Sequence, residues 1–246
     1  MSDIPFFDQV IRFNSLQSTH TQARKLIFSR EVKGNFLVIA NSQSSGAGRK
    51  DSPWHSPAGG LWFTAGFYNL PLRSSLTIYL AVIITKAFET LYPELSGKIK
   101  IKWPNDLYIN DKKFCGILTT SFPDQQYIIS GIGLNTNVTE FPEHLKERAT
   151  SLSLALYKEL DNNLVLNTIF DIFAQELPDY LENELTNQLS YYKNNSYLYG
   201  REIILGTEFE KYTGLVKGIN RRGALLLQLD NESIQPFYSG SILEIK

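Results

Sequence analysis

Residues 102–118 leave this chain few ways to fold. Two short stretches of mixed apolar and polar residues flank Asn110-Asp111, and both turn residues tolerate the left-handed backbone of a tight hairpin. A two-residue turn sets Tyr108 opposite Lys113, and strand alternation puts Asp106 on the same face. Asp106 and Lys113 become diagonal neighbours, roughly 7–8 Å apart at Cβ, a gap that long side chains span. One face of a β-ribbon then presents a carboxylate able to hold a divalent cation beside an ammonium able to meet phosphate or carboxylate oxygens. An exposed Lys–Asp pair of no consequence has the same pattern, so the ribbon alone does not decide between them.

The 246 residues give room for one large domain and a small one, with a real core. A hydrophobic share of 43% and a charged share of 20% fit an ordinary globular protein. With 24 basic and 25 acidic residues the net charge is -1, so no bulk field draws the chain to nucleic acid or membrane. Any phosphate site must be local. Cys115 is the single cysteine, which excludes an internal disulfide and points to a reducing compartment. The opening residues lack a basic stretch followed by an apolar one. The apolar run near residues 78–84 falls far short of the roughly 20 residues of a spanning helix. The expectation is a cytoplasmic protein with no nucleic-acid or membrane partner.

Residues 5–16 supply an opening strand. Ser18-Thr19-His20-Thr21-Gln22 reads as a helix start, with Thr19 as the cap and Gln22 reaching back to complete a capping box. These groups either cap the helix and nothing more, or also meet a polar ligand. Residues 35–40 form a buried strand that empties into a long polar loop, residues 43–60, punctuated by glycine and proline. Loops of that length are functional or disordered. Small residues around Arg49 let backbone amides approach an anion, and its planar fork suits phosphate. The spacing matches neither a P-loop nor a dinucleotide fingerprint. Residues 61–67 are a strand, and residues 75–92 a buried helix ending at Pro93. Residues 127–137 form a strand whose glycines mark close approach by another group. At its end, Asn135 carries both a donor and an acceptor for a base edge, or simply forms a turn. Helices follow over residues 149–160 and 164–185, the second bent or interrupted near Pro178. From about Tyr199, short turn-separated strands suggest a small antiparallel barrel of about 45 residues.

In order and combination these segments resemble the biotin–protein ligases, nearly end to end. The resemblance rests on Ser18-Thr19, on Gln43 followed by Gly46-Ala47-Gly48-Arg49 and Trp54-His55-Ser56-Pro57, and on Gly131-Ile132-Gly133-Leu134-Asn135. Its most specific part is Lys102-Trp103-Pro104-Asn105-Asp106-Leu107 with Lys113 and Gly116-Ile117-Leu118. It implies an α+β fold: a mixed sheet flanked by helices, the class II synthetase-like catalytic domain, over residues 1–195. A small SH3-like β-barrel follows over residues 196–246. The implied reaction has two steps. Biotin's carboxylate attacks the α-phosphate of ATP to give biotinyl-adenylate and pyrophosphate. A lysine of a biotin carboxyl carrier domain, such as that of acetyl-CoA carboxylase, then takes the biotinyl group.

The same resemblance assigns Ser18, Thr19 and Gln43 to biotin's ureido ring, Trp54 to its ring and tail, and Gly46 and Gly116 to the biotin site. Arg49 matches the lid arginine that retains the adenylate, and Lys113 the lysine bridging biotin's carboxylate and the α-phosphate. Lys102, Asn105 and Asn135 fall to the nucleotide, Asn135 at adenine, and Asp106 to Mg²⁺. Two positions depart from the family pattern. His20 stands where asparagine is common, and Ala47 where the lid often carries its first arginine. The ligand-binding block begins within 20 residues of Met1, so a DNA-binding module and a repressor role by that route are not expected. Either a monomer or a homodimer is compatible. Lipoate ligases and octanoyltransferases share the catalytic fold, but the arginine loop and the Trp-Pro-Asn-Asp ribbon favour the biotin group. A non-catalytic biotin sensor is the remaining reading, supported only by the altered lid.

Overall fold

Residues 36–40 are apolar without alternation because both faces of their strand are covered. The computed structural model, which describes residues 4–246, turns Leu37 and Ile39 toward one core and Phe36 and Val38 toward another. In chain order the first elements are β1 (Gln9–Leu16), α1 (Thr19–Phe28), β2 (Phe36–Ala47), β3 (Pro53–Ser56), β4 (Leu61–Tyr68) and α2 (Leu76–Leu91). Next come β5 (Lys100–Lys102), β6 (Asp106–Ile109), β7 (Lys112–Phe122) and β8 (Tyr127–Leu134), then α3 (Leu152–Leu156), α4 (Asn162–Asn183) and α5 (Leu189–Asn195). The last section holds β9 (Glu202–Gly206), β10 (Lys211–Ile219), β11 (Leu225–Gln228), β12 (Ile234–Phe237) and β13 (Ser241–Ile245).

The first sheet runs β1-β2-β4-β8-β7-β6-β5, with β3 paired to β2. It is mixed: β1 and β2 are parallel, joined through α1, and the other pairs are antiparallel. One face carries α2, which is apolar almost all round because it is buried between sheet and α4. The stacked Tyr79 and Tyr180 rings, 4.0 Å apart, join α2 to α4, and Ser75 bonds the Tyr180 hydroxyl at 3.0 Å. On the opposite face α1 covers only one end, packing Ala23, Leu26 and Ile27 on Phe36, Val38 and Ile129. Beyond α1, β7 and β8 bring Gly116, Gly131 and Gly133 to that face, and it stays open.

The second sheet, β12-β11-β10-β9-β13, is antiparallel throughout. The strand path does not return on itself, so the expected barrel is an open five-stranded sheet rather than a closed one. Its Ile203, Leu205, Val216 and Leu227 join the same core as the first sheet. Polar contacts fasten the seam: Trp103 Nε1 donates to the Gly223 carbonyl at 3.0 Å and Ser74 Oγ to that of Arg222 at 2.8 Å. Among the described residues no helix is long and apolar enough to cross a membrane.

Several boundaries differ from expectation, each for a local reason. Ser18, not Thr19, caps α1, accepting from the Thr21 amide at 3.4 Å, because Thr19 is turned to Gln43; no capping box forms. The polar stretch after residue 43 is largely structured. β2 runs on to Ala47 and β3 folds back on it, pairing Gly46 with Trp54. The helix expected over residues 149–160 shrinks to α3, because Ser151 caps it late and Tyr157 ends it in the left-handed region at φ 55°. α4 passes through Pro178 without interruption. α5 was not anticipated.

Phe173 is fully buried, with ring centroids of Phe6, Phe67 and Tyr79 within 5.5 Å. Phe173→Ala is expected to destabilise the fold by about 3–5 kcal/mol. Urea unfolding monitored by circular dichroism measures this; a loss below about 1 kcal/mol contradicts the packing described.

Candidate active site

The open glycine face, the β2–β3 loop and the turn entering β13 enclose a cleft of about 340 Å³. Its floor is bare by necessity. A Cβ on Gly133 would lie 2.4 Å from Trp54 Nε1, and one on Gly116 would lie 3.3 Å from the same indole. Trp54 therefore rests flat on a glycine pair, its Nε1 buried and without a partner. β3 delivers Trp54 by pairing it with Gly46, where a side chain would strike Ser56 Oγ at 2.7 Å and the Trp54 carbonyl at 2.8 Å.

At one end lies the β6–β7 ribbon. Asn110 and Asp111 both sit at positive φ, 50° and 59°, and Tyr108 pairs with Lys113 as expected. The register then slips. Phe114 is an extra residue that turns into the core, and Asp106 faces Gly116 rather than Cys115. The bulge leaves Lys113 on the cleft side, its Nζ 2.7 Å from Asp106 Oδ1 and 5.0 Å from the Trp54 ring. The Lys113 backbone is held from outside the ribbon: its amide donates to the Arg148 carbonyl at 2.8 Å, and its carbonyl accepts from the Thr150 amide at 3.0 Å. Cys115, on the core side, is buried with its thiol pushed up in pKa, so it is no nucleophile. Lys102 lies over the Tyr108 and Tyr197 rings at 5.1 and 5.6 Å, and burial draws its pKa down.

The other end is an uncharged network. Gln43 Oε1 accepts from the Thr19 amide at 2.8 Å and the Thr19 hydroxyl at 3.1 Å, and Thr19 Oγ1 accepts from Thr64 at 3.0 Å. Gln43 Nε2 donates to Ser56 Oγ at 2.9 Å, which fixes the orientation of the amide. The Ser18 hydroxyl hydrogen and one Gln43 N–H remain available as donors to a ligand. His20, also lining the cleft, bonds Thr120 Oγ1 through Nε2 at 3.1 Å. Arg49, expected to be a lid arginine, lines the cleft but is engaged at its rim: its Nη2 donates to the Gly240 carbonyl, and Lys50 Nζ donates to Ser241 Oγ, both at 3.1 Å.

The cleft thus gathers Ser18, Thr19, Gln43, Arg49, Trp54, Lys102, Asn105, Asp106, Lys113 and Gly116. It does not gather Asn135, which is 3% exposed, donates its side-chain amide to the Thr150 carbonyl at 2.9 Å, and lies outside the lining. The Asn135 carbonyl also accepts from Leu152, so this residue anchors the segment that holds Lys113. Gly46 stands behind Ser56 and Gln43 rather than in the lining. Sequence reasoning quoted Ser56 within its motif without giving it a role, and overlooked Thr64. Thr64, the lone hydroxyl in the apolar run of residues 61–67, was the available signal.

Burial, with a smaller contribution from the Arg24 guanidinium, pulls the His20 imidazole from 6.5 down to about 4. Between those values the unfolded chain holds a proton that the folded chain lacks, so stability is complete above 6.5 and falls as pH drops through the window. The full fall is about 3 kcal/mol. The difference in unfolding free energy between the parent and His20→Gln, measured from pH 7 to pH 4, should narrow by that order. A difference that stays constant would contradict the burial of His20.

Comparison with known proteins gives two family matches. The biotin/lipoate A/B protein ligase family matches residues 12–135, and the biotin protein ligase C terminal domain matches residues 198–243. The bifunctional ligase/repressor BirA of Bacillus subtilis is 33% identical over 243 residues, spanning 95% of this chain and 73% of that protein. The biotin–[acetyl-CoA-carboxylase] ligase of Paracoccus denitrificans is 27% identical over 224 residues, 86% of this chain and 90% of that protein. The biotin protein ligase of Aquifex aeolicus, solved in complex with biotin and ATP, superposes with a TM-score of 0.84 at 26% identity, covering 98% of this chain and 99% of that one.

Proposed function

Because the chain belongs to the biotin/lipoate A/B protein ligase family, we propose that its cleft activates biotin with ATP and passes the biotinyl group to a lysine of a biotin carboxyl carrier domain. One observation carries the site assignment. A single trough holds an uncharged hydrogen-bonding network at one end and the Lys113–Asp106 pair, 2.7 Å apart, at the other. That polarity fits a molecule with a neutral urea at one end and a carboxylate at the other.

Ser18 and the free N–H of Gln43 supply donors to the ureido oxygen, and Trp54 covers the apolar rings and tail. The biotin carboxylate then lies at Lys113. Its oxygen attacks the α-phosphorus of ATP, and the bond to the β-phosphate oxygen breaks, releasing pyrophosphate. Lys113 offsets negative charge on both reacting groups, a contribution that operates fully only in a site shielded from water. Lys102, with Asn105 beside it, serves the nucleotide phosphates. In the second step the acceptor amine attacks the acyl carbon, AMP leaves, and the amine loses a proton.

Mg²⁺ is part of this reading. No cluster of three metal-ligating side chains exists among the described residues, but Mg²⁺ commonly takes one or two carboxylates and completes its shell with phosphate oxygens and water. Asp106 would supply that carboxylate, and the ion would add further neutralisation of phosphate charge. Arg49 is assigned to the adenylate after it leaves Gly240. Asn135 is assigned to holding Thr150, and through it Lys113, rather than to adenine. The boundary between catalytic and C-terminal units is placed at residues 195 and 196, between α5 and β9. A cytoplasmic setting rests on the single, unpaired Cys115.

The test uses the purified chain with biotin, ATP, Mg²⁺ and a carrier domain, reading pyrophosphate release and label on the acceptor lysine. Both signals are expected; neither appearing would end the proposal. Lys113→Ala should slow biotin-dependent pyrophosphate exchange by roughly 10²–10³, the scale of one lost charge-stabilising donor. Exchange at the parental rate would show Lys113 to be misassigned.

A further inference from the structure

At the end of the trough away from Lys113, His20 stands on the sheet beside the uncharged network. On the open face of the first sheet, Gly116 pairs with Gly133, Leu118 with Gly131, and Thr120 with Ile129, forming successive rows. Rows two residues apart on one strand face are roughly 6.6 Å apart. Asp106 pairs with Gly116 and so marks the first row, with Lys113 beside it. His20 spans the second and third. Its Nδ1 lies 2.9 Å from where a Gly131 Cβ would be, and its Nε2 is bonded to Thr120. The imidazole therefore fills the volume that a side chain at residue 131 would otherwise take.

The ring is fixed twice, by the first turn of α1 and by Thr120. Its Nδ1 is buried without a protein hydrogen-bond partner and packs on Gly131. Burial, with a smaller push from the Arg24 guanidinium, disfavours its protonated form, so the ring is uncharged at neutral pH. A neutral, immobile wall at a set distance from a cation makes a ruler for a carboxylic acid. The carboxylate is pinned at Lys113, and everything beyond it must fit before the imidazole.

We infer that His20 is a specificity-determining residue: it forms the end wall of the acyl trough and sets the length of acid that Lys113 can activate. This rests on the reading of the cleft as the biotin site. Each methylene added to the acid tail drives the ring system one step further into His20. One surplus methylene in a closed pocket costs 10–200-fold in selectivity.

The experiment measures acid-dependent ATP–pyrophosphate exchange with biotin and with its homologue carrying one extra methylene in the tail. The parent, His20→Ala and Thr120→Val are compared. The parent should favour biotin by about 10–200-fold in kcat/KM. His20→Ala should lower that ratio at least about tenfold, by gaining activity on the homologue. Thr120→Val, which frees the ring without removing it, should move the ratio the same way by a smaller factor. A ratio unchanged in His20→Ala, whether both activities fall together or neither moves, overturns the inference. If the parent itself shows no biotin-dependent exchange, the reading of the site fails instead, so the two failures are distinguishable.

Discussion

Lys113 and Asp106 meet at 2.7 Å with 27% and 20% of their side chains exposed, a setting that suits a contact made to be exchanged. A fully solvated pair contributes about 1 kcal/mol or less. A fully buried one is hard to break, because the abandoned charge stays desolvated. Between these limits the ammonium is held in the cleft yet can change partners. Much of the surrounding structure serves that placement. The bulge at Phe114 sends Lys113 and Gly116 to the cleft and Cys115 to the core. Residues 148–150, secured by Asn135, grip the lysine backbone from the side.

What the sequence made legible was mainly local. The Asn110-Asp111 turn follows from two residues that tolerate positive φ, and α2 from an apolar run of helical length closed by Pro93. The facing of Asp106 and Lys113 was reached with an unbroken register, whereas the ribbon achieves it with one slipped residue. Period-two counting has no term for a bulge, whose cause is the tertiary demand for a phenylalanine in the core. β3 was illegible for a related reason: Pro53-Trp54-His55-Ser56 lacks strand composition and is extended only because β2 offers an edge. The helix near residue 150 came out too long because the hydrogen bonds of Thr150 and Leu152 go to residues far away in sequence, which propensity does not register.

Glycine at 116, 131 and 133 also reads differently in place. In the sequence these residues signal close approach without naming the visitor. In the fold they are covered by two rings brought from other elements, Trp54 from β3 and His20 from α1. The cleft is thus shaped by side chains lying along the sheet rather than standing up from it. Such a floor tolerates almost no added bulk, since even a methyl group on Gly133 would displace the indole.

The contacts of Arg49 and Lys50 with Gly240 and Ser241 bridge 191 positions of sequence. Pairings of such separation form late, because their loop-closure entropy is met before they return any enthalpy. Residues 240 and 241 follow the glycine floor, the β6–β7 ribbon and the polar network in the chain, so the β2–β3 loop gains its anchor only after all of these have been synthesised.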